Sequence, residues 1–489
     1  MSEKMSRPLI LTLVAAQFLV MLDSSVLNVA LPSIASDLRL DAIGTAWVLN
    51  AYFLSFGGLL LISGRAADVF GRRRMVLTGS LVLAVGSFIG AVAGTEWVLV
   101  VARLVQGGGA AILSSAAMSV ILARTTGRQR ATAMSGWGAA SALGGALGVT
   151  LGGLLVGSVG WHGVLAAAGI VAILITGAAL VLVSKDRGRE RRRFDVLGAG
   201  LITAAAVASV YAVLTGPVLG WSSPPVGIAI GVALEAAVLF AFAERRSADP
   251  ILPPGLLREA RVVGGLVVNL AGGAARIGCF VLVALMLQQV LTFSPPAAGL
   301  GMLPTSLAGF AVSLLLLPKL LKRLGPQWVA FGGLLLLAAV HFLLAGTGTD
   351  GSYFLHVLPL LLLAAAGVAL SFTPTTLVIS EGVAARNAGV GSGLASASAQ
   401  LGGALGIAVY GAVDAAGRAT AIANGSSGPS VAAAGVGAAQ LTAAGFALFG
   451  GIVAAATFPQ VQASLMRIVG LRSRAFPVGV SGEGSGGRP

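Results

Sequence analysis

Fourteen long apolar runs, separated by charged and turn-forming residues, constrain the fold of this chain more than any other feature of its sequence. A helix needs about 20 apolar residues to cross a membrane. Only 10% of the 489 residues are charged, against about 25% in soluble domains, so a soluble globular protein is excluded. We predict an all-α polytopic membrane protein, because backbone groups in lipid must be satisfied within each segment. The predicted spans are 9–31, 45–63, 75–94, 98–122, 131–156, 163–183, 196–215, 226–243, 262–290, 297–317, 327–346, 354–378, 388–412 and 437–458.

The basic residues predict the orientation of these helices. With the N-terminus inside, 27 of the 31 lysines and arginines fall on one side of the membrane, and only Arg39 and Arg418 fall on the other. Since basic residues mark cytoplasmic loops, we place both termini in the cytoplasm. The net charge of +14 arises in these loops and therefore does not indicate nucleic acid. The basic loop 184–195 is read as a topology signal, and binding of anionic lipid is the alternative.

An internal repeat divides the chain. The sequence Leu-Gly-Gly-Ala-Leu-Gly occurs at 143–148 and again at 401–406, 258 positions later. Helices 1–6 and 9–14 are then two six-helix bundles, and helices 7 and 8 are an insertion. Parallel repeats with a site between them near the midplane are a transporter architecture. The predicted units are a first bundle at 1–184, the basic loop with the inserted helices at 185–261, a second bundle at 262–459, and a cytoplasmic tail at 460–489 that is disordered towards its end.

Glycines mark one face of predicted helix 5. Gly144, Gly148 and Gly152 recur every four residues, with Gly153 beside them, and such a face lets a neighbouring backbone approach closely. No strand precedes these glycines, so they do not form a nucleotide-binding loop. Helix packing is the interpretation, and flexibility during transport is an added hypothesis.

Charged residues inside spans are costly and therefore mark functional candidates. Asp23 lies 14 residues into helix 1, and Arg276 lies 14 residues into helix 9, 253 positions later, so the two residues hold corresponding positions in the two bundles. We predict that they face each other, or a shared cavity, near mid-membrane. Asn269 lies seven residues before Arg276 on the same helix face and adds a polar lining. The alternative is that backbone carbonyls or helix packing satisfy Arg276.

Asp23 is the predicted proton carrier. Burial and a neighbouring arginine both change the proton affinity of a carboxylate, so cavity opening and substrate arrival can switch its protonation. A structural hydrogen bond within helix 1 is the alternative. Arg103 in helix 4 and Glu235 in helix 8 are the other charged groups inside spans, and Glu235 is a further candidate for coupling.

No pattern in the sequence indicates catalysis, a cofactor or a metal site. A phosphate-binding P-loop is absent, no nucleophile–base cluster is visible, and the three histidines are scattered near span ends. We therefore expect neither an enzyme nor a cofactor, no metal, and an ion gradient as the energy source.

Several motifs are similar to those of a known family. The loop from Gly64 to Arg73, Gly-Arg-Ala-Ala-Asp-Val-Phe-Gly-Arg-Arg, resembles the loop between helices 2 and 3 in the major facilitator superfamily. The stretches 22–32 and 99–111 resemble the helix 1 and helix 4 motifs of its fourteen-helix drug:proton antiporter branch. Further similarities lie at 244–250, 288–289 and 389–406.

The resemblance implies a major facilitator fold in which two bundles rock around a central cavity. It makes Asp23 and Arg103 a proton-linked pair. A cytoplasmic gate is expected at Gly64, Asp68, Gly71, Arg72 and Arg73, where Asp68 and Arg72 form a latch between the halves. An ordinary acid at a helix start is the alternative for Asp68. The substrate cavity is expected to include Asp23, Asn28, Asn269, Arg276 and Gln288.

Two positions depart from the branch. Val149 follows the helix 5 glycine motif where the branch has proline, and Trp161-His162-Gly163 begins helix 6 where the branch has Trp-Arg-Trp. The proline belongs to the antiporter motif of helix 5. Its replacement by Val149 therefore counts against strict antiport and alters the bend expected in helix 5. The second suggests a divergent member with a narrow substrate range.

The predicted function is proton-coupled efflux of amphipathic organic compounds, such as antibiotics or toxic dyes, across the bacterial cytoplasmic membrane. The alternative is a dedicated exporter or facilitator of one native metabolite or lipid. The expected partners are a small-molecule drug or metabolite, protons and the lipid bilayer, without nucleic acid, and the chain is expected to act as a monomer.

Overall fold

The computed structural model describes residues 5–40, 42–184, 195–247, 256, 259–349, 351–384 and 387–468. The basic residues 185–193 and the predicted disordered end of the tail lie outside these ranges. Within them the regular elements are helices. They are α1 (Arg7–Asp37), α2 (Ala42–Phe70), α3 (Arg72–Ala91), α4 (Glu96–Arg124), α5 (Gly127–Leu182), α6 (Val196–Leu219), α7 (Pro224–Arg246), α8 (Ala260–Leu285), α9 (Pro295–Ala311), α10 (Leu317–Ala345), α11 (Leu358–Glu381), α12 (Ala388–Ala423), α13 (Pro429–Thr457) and α14 (Pro459–Ile468).

Two of these helices are broken by glycines. The backbone has φ 69° at Gly160 in α5 and φ 77° at Gly325 in α10, a region that glycine enters without steric cost. Gly160 lies between predicted helices 5 and 6, and Gly325 lies between predicted helices 10 and 11. Three π-helical turns, Met286–Val290, Val312–Leu316 and Tyr353–Val357, extend α8, α9 and the start of α11.

The apolar lengths support a polytopic membrane protein. Among the described residues, twelve segments are long and apolar enough to cross a membrane. This measure does not confirm the count of fourteen spans. One of the twelve, Ala297–Ala345, runs across the break at Gly325.

Helix packing groups the elements into two bundles and a pair. In the first half, α1 packs on α5, and α4 packs on α2 and α3. In the second half, α8 packs on α11, α12 and α13, and α10 packs on α11 and α13. The helices α6 and α7 pack on each other, and α6 also contacts α2 and α12. The residue boundaries of the four predicted units stay a prediction.

The two halves meet along several helix pairs. The helix α2 lies against α12, and α5 lies against α9 and α11. One buried apolar cluster contains residues of both halves, including Leu60, Ala117 and Trp137 from the first and Leu317 and Leu377 from the second. We call the end of the molecule that carries the α2–α3 turn, the α4–α5 turn and the start of α12 the basic end, and the opposite one the far end.

Candidate functional site

A buried ion pair joins α1 and α4 inside the first half. Nη1 of Arg103 donates hydrogen bonds to Oδ2 of Asp23 at 3.1 Å and to Oε1 of Gln106 at 2.9 Å. Both charged side chains are 0% exposed. Nε2 of Gln106 donates to Oδ1 of Asp23 at 3.3 Å and to the Ser87 hydroxyl at 2.9 Å. The ring of Tyr52 lies 4.3 Å from Cζ of Arg103, so four helices contribute to this cluster.

Glycines allow the helices to come close enough for these contacts. A β-carbon at Gly86 of α3 would lie 2.7 Å from the backbone nitrogen of Gln106 in α4. A β-carbon at Gly107 of α4 would collide with the carbonyl oxygen of Tyr52 in α2. Small residues at such positions permit close approach of helix backbones in membranes. The chain thus places Tyr52, Ser87 and Gln106 around the ion pair.

The Asp23–Arg103 cluster can change its charge with one proton. Because Arg103 is the cation bonded to Asp23, protonation of the carboxylate would break the ion pair and leave the arginine charge uncompensated. Nε and Nη2 of Arg103 are buried and have no hydrogen-bond partner among the described residues. Unmet donors in a buried site are costly, so Asp23 and Gln106 are the acceptors on which this guanidinium depends.

A second polar cluster lies inside the second half around Arg276. Nη2 of Arg276 donates to the backbone oxygen of Asn269 at 3.1 Å and to its Oδ1 at 2.9 Å. Nη1 lies 3.5 Å from the Ser371 hydroxyl, and the Phe372 ring lies 5.3 Å from Cζ. Nδ2 of Asn269 donates to the carbonyl oxygen of Ala395 at 2.6 Å. The cluster therefore joins α8, α11 and α12.

The structure assigns Asp23 and Arg276 to separate clusters. The hydrogen bonds found for Asp23 stay in the first half, and those found for Arg276 stay in the second half. One of the Arg276 bonds goes to a backbone carbonyl, which was the alternative to a cavity role. That the two residues share a cavity stays a prediction.

The remaining predicted cavity residues are Asn28 and Gln288. Asn28 lies within α1, and its side chain is outside what the structure describes. Gln288 is exposed on the π-helical turn after α8, about 18 Å along the helix axis from Arg276 at 1.5 Å per residue. A cavity of 540 Å³ at the far end is lined by other residues, including Phe293, Tyr353 and Ser427.

The carboxylate of Asp68 binds the first turn of α12 across the boundary between the halves. The backbone N–H of Gly389 donates to Oδ1 and that of Val390 donates to Oδ2, both at 3.0 Å. Nη2 of Arg72 donates to Oδ1 at 3.1 Å. A carboxylate at a helix N-terminus satisfies free N–H groups and interacts favourably with the helix dipole. Asp68 lies in the last turn of α2, so it is not an acid at the start of its own helix.

The surrounding glycines and arginines fix this contact. A β-carbon at Gly64 would collide with the carbonyl oxygen of Gly389, so the two backbones touch. Gly71 has φ 107°, which lets the chain turn between α2 and α3. Nε of Arg72 donates to the Ser119 hydroxyl at 2.9 Å, and Nη2 of Arg73 donates to the carbonyl oxygen of Leu180 at 2.6 Å. All five predicted gate residues thus lie at one junction of the basic end.

The helix 5 glycines pack against α1. A β-carbon at Gly144 would lie 2.6 Å from the carbonyl oxygen of Phe18, and one at Gly148 would lie 2.9 Å from that of Leu22. The Ser25 hydroxyl donates to the carbonyl oxygen of Gly144 at 3.2 Å. Gly152 and Gly153 continue α5, but their surroundings are outside what the structure describes. Close packing is therefore the observed role of the first two glycines.

Glu235 is exposed on α7, in the inserted pair. The hydrogen bonds and ion pairs found among the described residues do not link it to Asp23, Arg103 or Arg276. Its role in coupling stays a prediction.

Sequence reasoning missed part of the first cluster. The positions of Tyr52 and Ser87 in the sequence do not predict their contacts, because these residues approach Arg103 and Gln106 only through helix packing. Gln106 lies three residues after Arg103 and so on the same helix face, which could have identified it. The backbone donors at Gly389 and Val390 had no such signal.

The chain is similar to known proteins over most of its length. A family model described as Major Facilitator Superfamily matches residues 13–407. The chain is 36% identical over 409 residues to the puromycin resistance protein of Streptomyces alboniger, which covers 83% of this chain and 81% of that protein. It is 33% identical over 398 residues to the cephamycin export protein of Amycolatopsis lactamdurans, covering 81% and 82% of the two chains.

Among solved structures, the human organic anion transporter MFSD10 superposes with a TM-score of 0.66, over 92% of this chain and 99% of that one. The sequence identity is 16%, so this likeness concerns the fold alone.

Proposed function

Because the chain belongs to the major facilitator superfamily, we propose that this multi-pass membrane transporter exports amphipathic organic compounds from the bacterial cytoplasm by proton antiport. Antibiotics and toxic dyes are the expected substrates, since the relatives named above are a resistance protein and an export protein for antibiotics. The observation that carries proton coupling is the fully buried pair of Asp23 and Arg103. An intramembrane ion pair that a proton can open is a device for coupling.

Proton binding at Asp23 would alternate with substrate binding. The carboxylate holds α1 to α4 through Arg103 and to α3 through Gln106 and Ser87. A proton on Asp23 would remove the attraction between Asp23 and Arg103 and free α1 to shift against α4. Transport then needs the proton to leave on the cytoplasmic side before the next substrate is carried. This order of steps exchanges inward movement of a proton for outward movement of a substrate molecule.

Asp68 would act as the latch of alternating access. We place the basic end, and with it both termini, on the cytoplasmic side of the bacterial membrane, because basic loops mark that side. The halves are in contact there through Asp68 and α12, so in this orientation the described state would be closed to the cytoplasm. Opening towards the cytoplasm would require that Asp68 release the first turn of α12.

The second candidate is a dedicated exporter or facilitator of one native metabolite or lipid. The motif departures at Val149 and at His162-Gly163 favour it. Trp161, which precedes them, donates a hydrogen bond to Asp37 at 2.9 Å and keeps α5 close to the end of α1. A narrow substrate range without proton exchange would distinguish this function.

Proteoliposomes with an imposed pH gradient and an internal pH dye test the proposal. We expect addition of cationic, neutral or anionic antibiotics to cause proton movement with the native chain, and we expect Asp23→Asn to abolish it. Asp414→Asn is the matched control, because it neutralises the carboxylate of another ion pair, with Arg418 at 2.6 Å. Substrate movement without protons would favour the second candidate, and unchanged coupling in Asp23→Asn would exclude Asp23 as the carrier.

A further inference from the structure

Among the described residues, the buried guanidinium of Arg276 has no counter-ion. The residue is 7% exposed, and its hydrogen-bond partners are the Asn269 backbone, the Asn269 amide and the Ser371 hydroxyl. All three are neutral. Within the part of the chain that the structure describes, no carboxylate forms an ion pair with Arg276. The cluster therefore carries an uncompensated positive charge.

The corresponding cluster of the first half is compensated. There the buried cation Arg103 binds Asp23, which lies as far into the first helix of its half as Arg276 lies into the first helix of the second half. Both arginines are buried, but within the described ranges an acidic partner is found for Arg103 alone. An unpaired cation inside a membrane protein is costly to maintain and is a mark of function. Neutral hydrogen-bond acceptors orient such a cation but do not cancel its charge.

The neighbours of Arg276 hold its planar fork in place. Asn269 is itself fixed by bonds from Nδ2 to the Ala395 oxygen and the Ser398 hydroxyl, so its Oδ1 stays directed at the guanidinium. The contact from Nη1 to Ser371 is 3.5 Å, the longest of the three, so this N–H can turn to another acceptor. An arginine fork matches the two oxygens of a carboxylate. The cluster thus has the donors and the charge for a carboxylate.

Phe372 contacts both Arg276 and the apolar cluster at the boundary between the halves. Its ring lies 5.3 Å from the guanidinium carbon and packs against the apolar cluster that contains residues of both halves. The site of a transporter built from two repeats lies at that boundary. Arg276 is therefore one aromatic ring away from the boundary at which a substrate would bind.

We propose that Arg276, positioned by Asn269 and Ser371, binds the carboxylate of an amphipathic organic acid, so that the transporter's substrates include organic anions. This inference rests on the proposed export function and specifies its substrate class. The inside-negative membrane potential drives an anion outwards. Export of an anion in exchange for a proton therefore uses both the electrical and the proton gradient.

Three matched fluorescent probes test the inference. They are dansyl-phenylalanine, which is an anion, its amide, which is neutral, and its dimethylaminoethyl amide, which is a cation. Binding to purified protein is followed by dansyl fluorescence, and transport is measured in proteoliposomes. We expect the acid to bind at least tenfold more tightly than the amide. Arg276→Gln should remove that preference while Arg276→Lys keeps part of it, and both variants should weaken binding of the acid far more than binding of the amide.

The outcomes separate the anion site from the export function. Binding of the acid that depends on Arg276, without transport of any probe, supports the anion site and contradicts the proposed function. Transport in which the amide or the cation is handled as well as the acid contradicts the anion site and leaves the proposed function standing. Equal loss of all three probes in Arg276→Gln also contradicts the anion site. Neither binding nor transport of any probe contradicts both.

Discussion

Gly144 and Gly402, which are 258 positions apart in the repeat, make equivalent contacts in the two halves. A β-carbon at Gly144 would lie 2.6 Å from the carbonyl oxygen of Phe18 in α1, and one at Gly402 would collide with that of Leu270 in α8. Each glycine thus brings its helix against the first helix of its own half. The repeated motif encodes the same helix pairing twice.

We expect Gly144→Ala to destabilise the protein, because the added methyl group would displace α5 from α1. Overpacking of this kind costs about 1–3 kcal/mol. Gly145→Ala is the matched control, since a β-carbon at the next residue meets nothing within 4 Å. Thermal unfolding in detergent, followed by tryptophan fluorescence, should show a lower midpoint for Gly144→Ala alone. Equal midpoints for the two variants would mean that the glycine contact is not needed.

Removal of the charge of Asp68 should open the basic end more often. Asp68→Asn weakens two bonds to the first turn of α12 and the ion pair with Arg72. A charged hydrogen bond contributes about 1.5–3 kcal/mol, so the loss of one corresponds to at least about tenfold in an opening equilibrium.

The readout is maleimide labelling of a cysteine at Ser392→Cys, in a Cys279→Ala background. Ser392 is buried where α12 meets the Ser115 carbonyl oxygen, so the label reaches it only when the halves separate. Labelling should be about tenfold faster with Asp68→Asn and unchanged with Asp414→Asn. If Asp68→Asn leaves the labelling rate as it was, the latch is not formed by this carboxylate.

The Asp23–Arg103 pair should show strong energetic coupling. Arg103→Gln leaves a buried carboxylate without its cation, which costs about 3–5 kcal/mol. Asp23→Asn in the same chain should recover much of this loss, because no unpaired charge then remains.

A double-mutant cycle on thermal stability measures that coupling. The Asp414–Arg418 pair, whose side chains are partly exposed, provides the comparison, and its coupling should stay below about 1 kcal/mol. Additive effects of Asp23→Asn and Arg103→Gln would show that the two charges do not interact in the folded protein.

Tyr52 should stabilise Arg103 chiefly through its ring. Tyr52→Phe keeps the ring 4.3 Å from Cζ of Arg103 and loses only the hydrogen bond from its hydroxyl to the Val20 oxygen. Tyr52→Leu loses both. Since a desolvated cation–π contact contributes about 2 kcal/mol, the leucine variant should unfold at a clearly lower temperature than the phenylalanine variant. Similar midpoints would assign the stabilisation to the hydroxyl.

The sequence allowed a prediction wherever a residue type is by itself energetically costly, or clearly favourable, in lipid. Apolar runs led to the helices, and the charges at Asp23, Arg103 and Arg276 marked the buried polar clusters because unpaired charge is expensive there. Tyr52 and Ser87 could not be predicted, because tyrosine and serine are tolerated on many helix faces. The partners of Asp68 are backbone N–H groups, which every residue except proline possesses, so no side-chain pattern identifies them.

The contact between Asp68 and α12 tolerates fewer substitutions in α2 than in α12. Its donors are the main-chain N–H groups of Gly389 and Val390, and any side chain other than proline preserves such a donor. At Val390 most replacements would therefore leave the donor intact, whereas at Gly389 a β-carbon would meet Cγ of Asp68 at 2.7 Å. On the α2 side, one carboxylate accepts both bonds. On the α2 side, closure of the basic end thus depends on the carboxylate of Asp68. On the α12 side, it depends mainly on the absence of a β-carbon at Gly389.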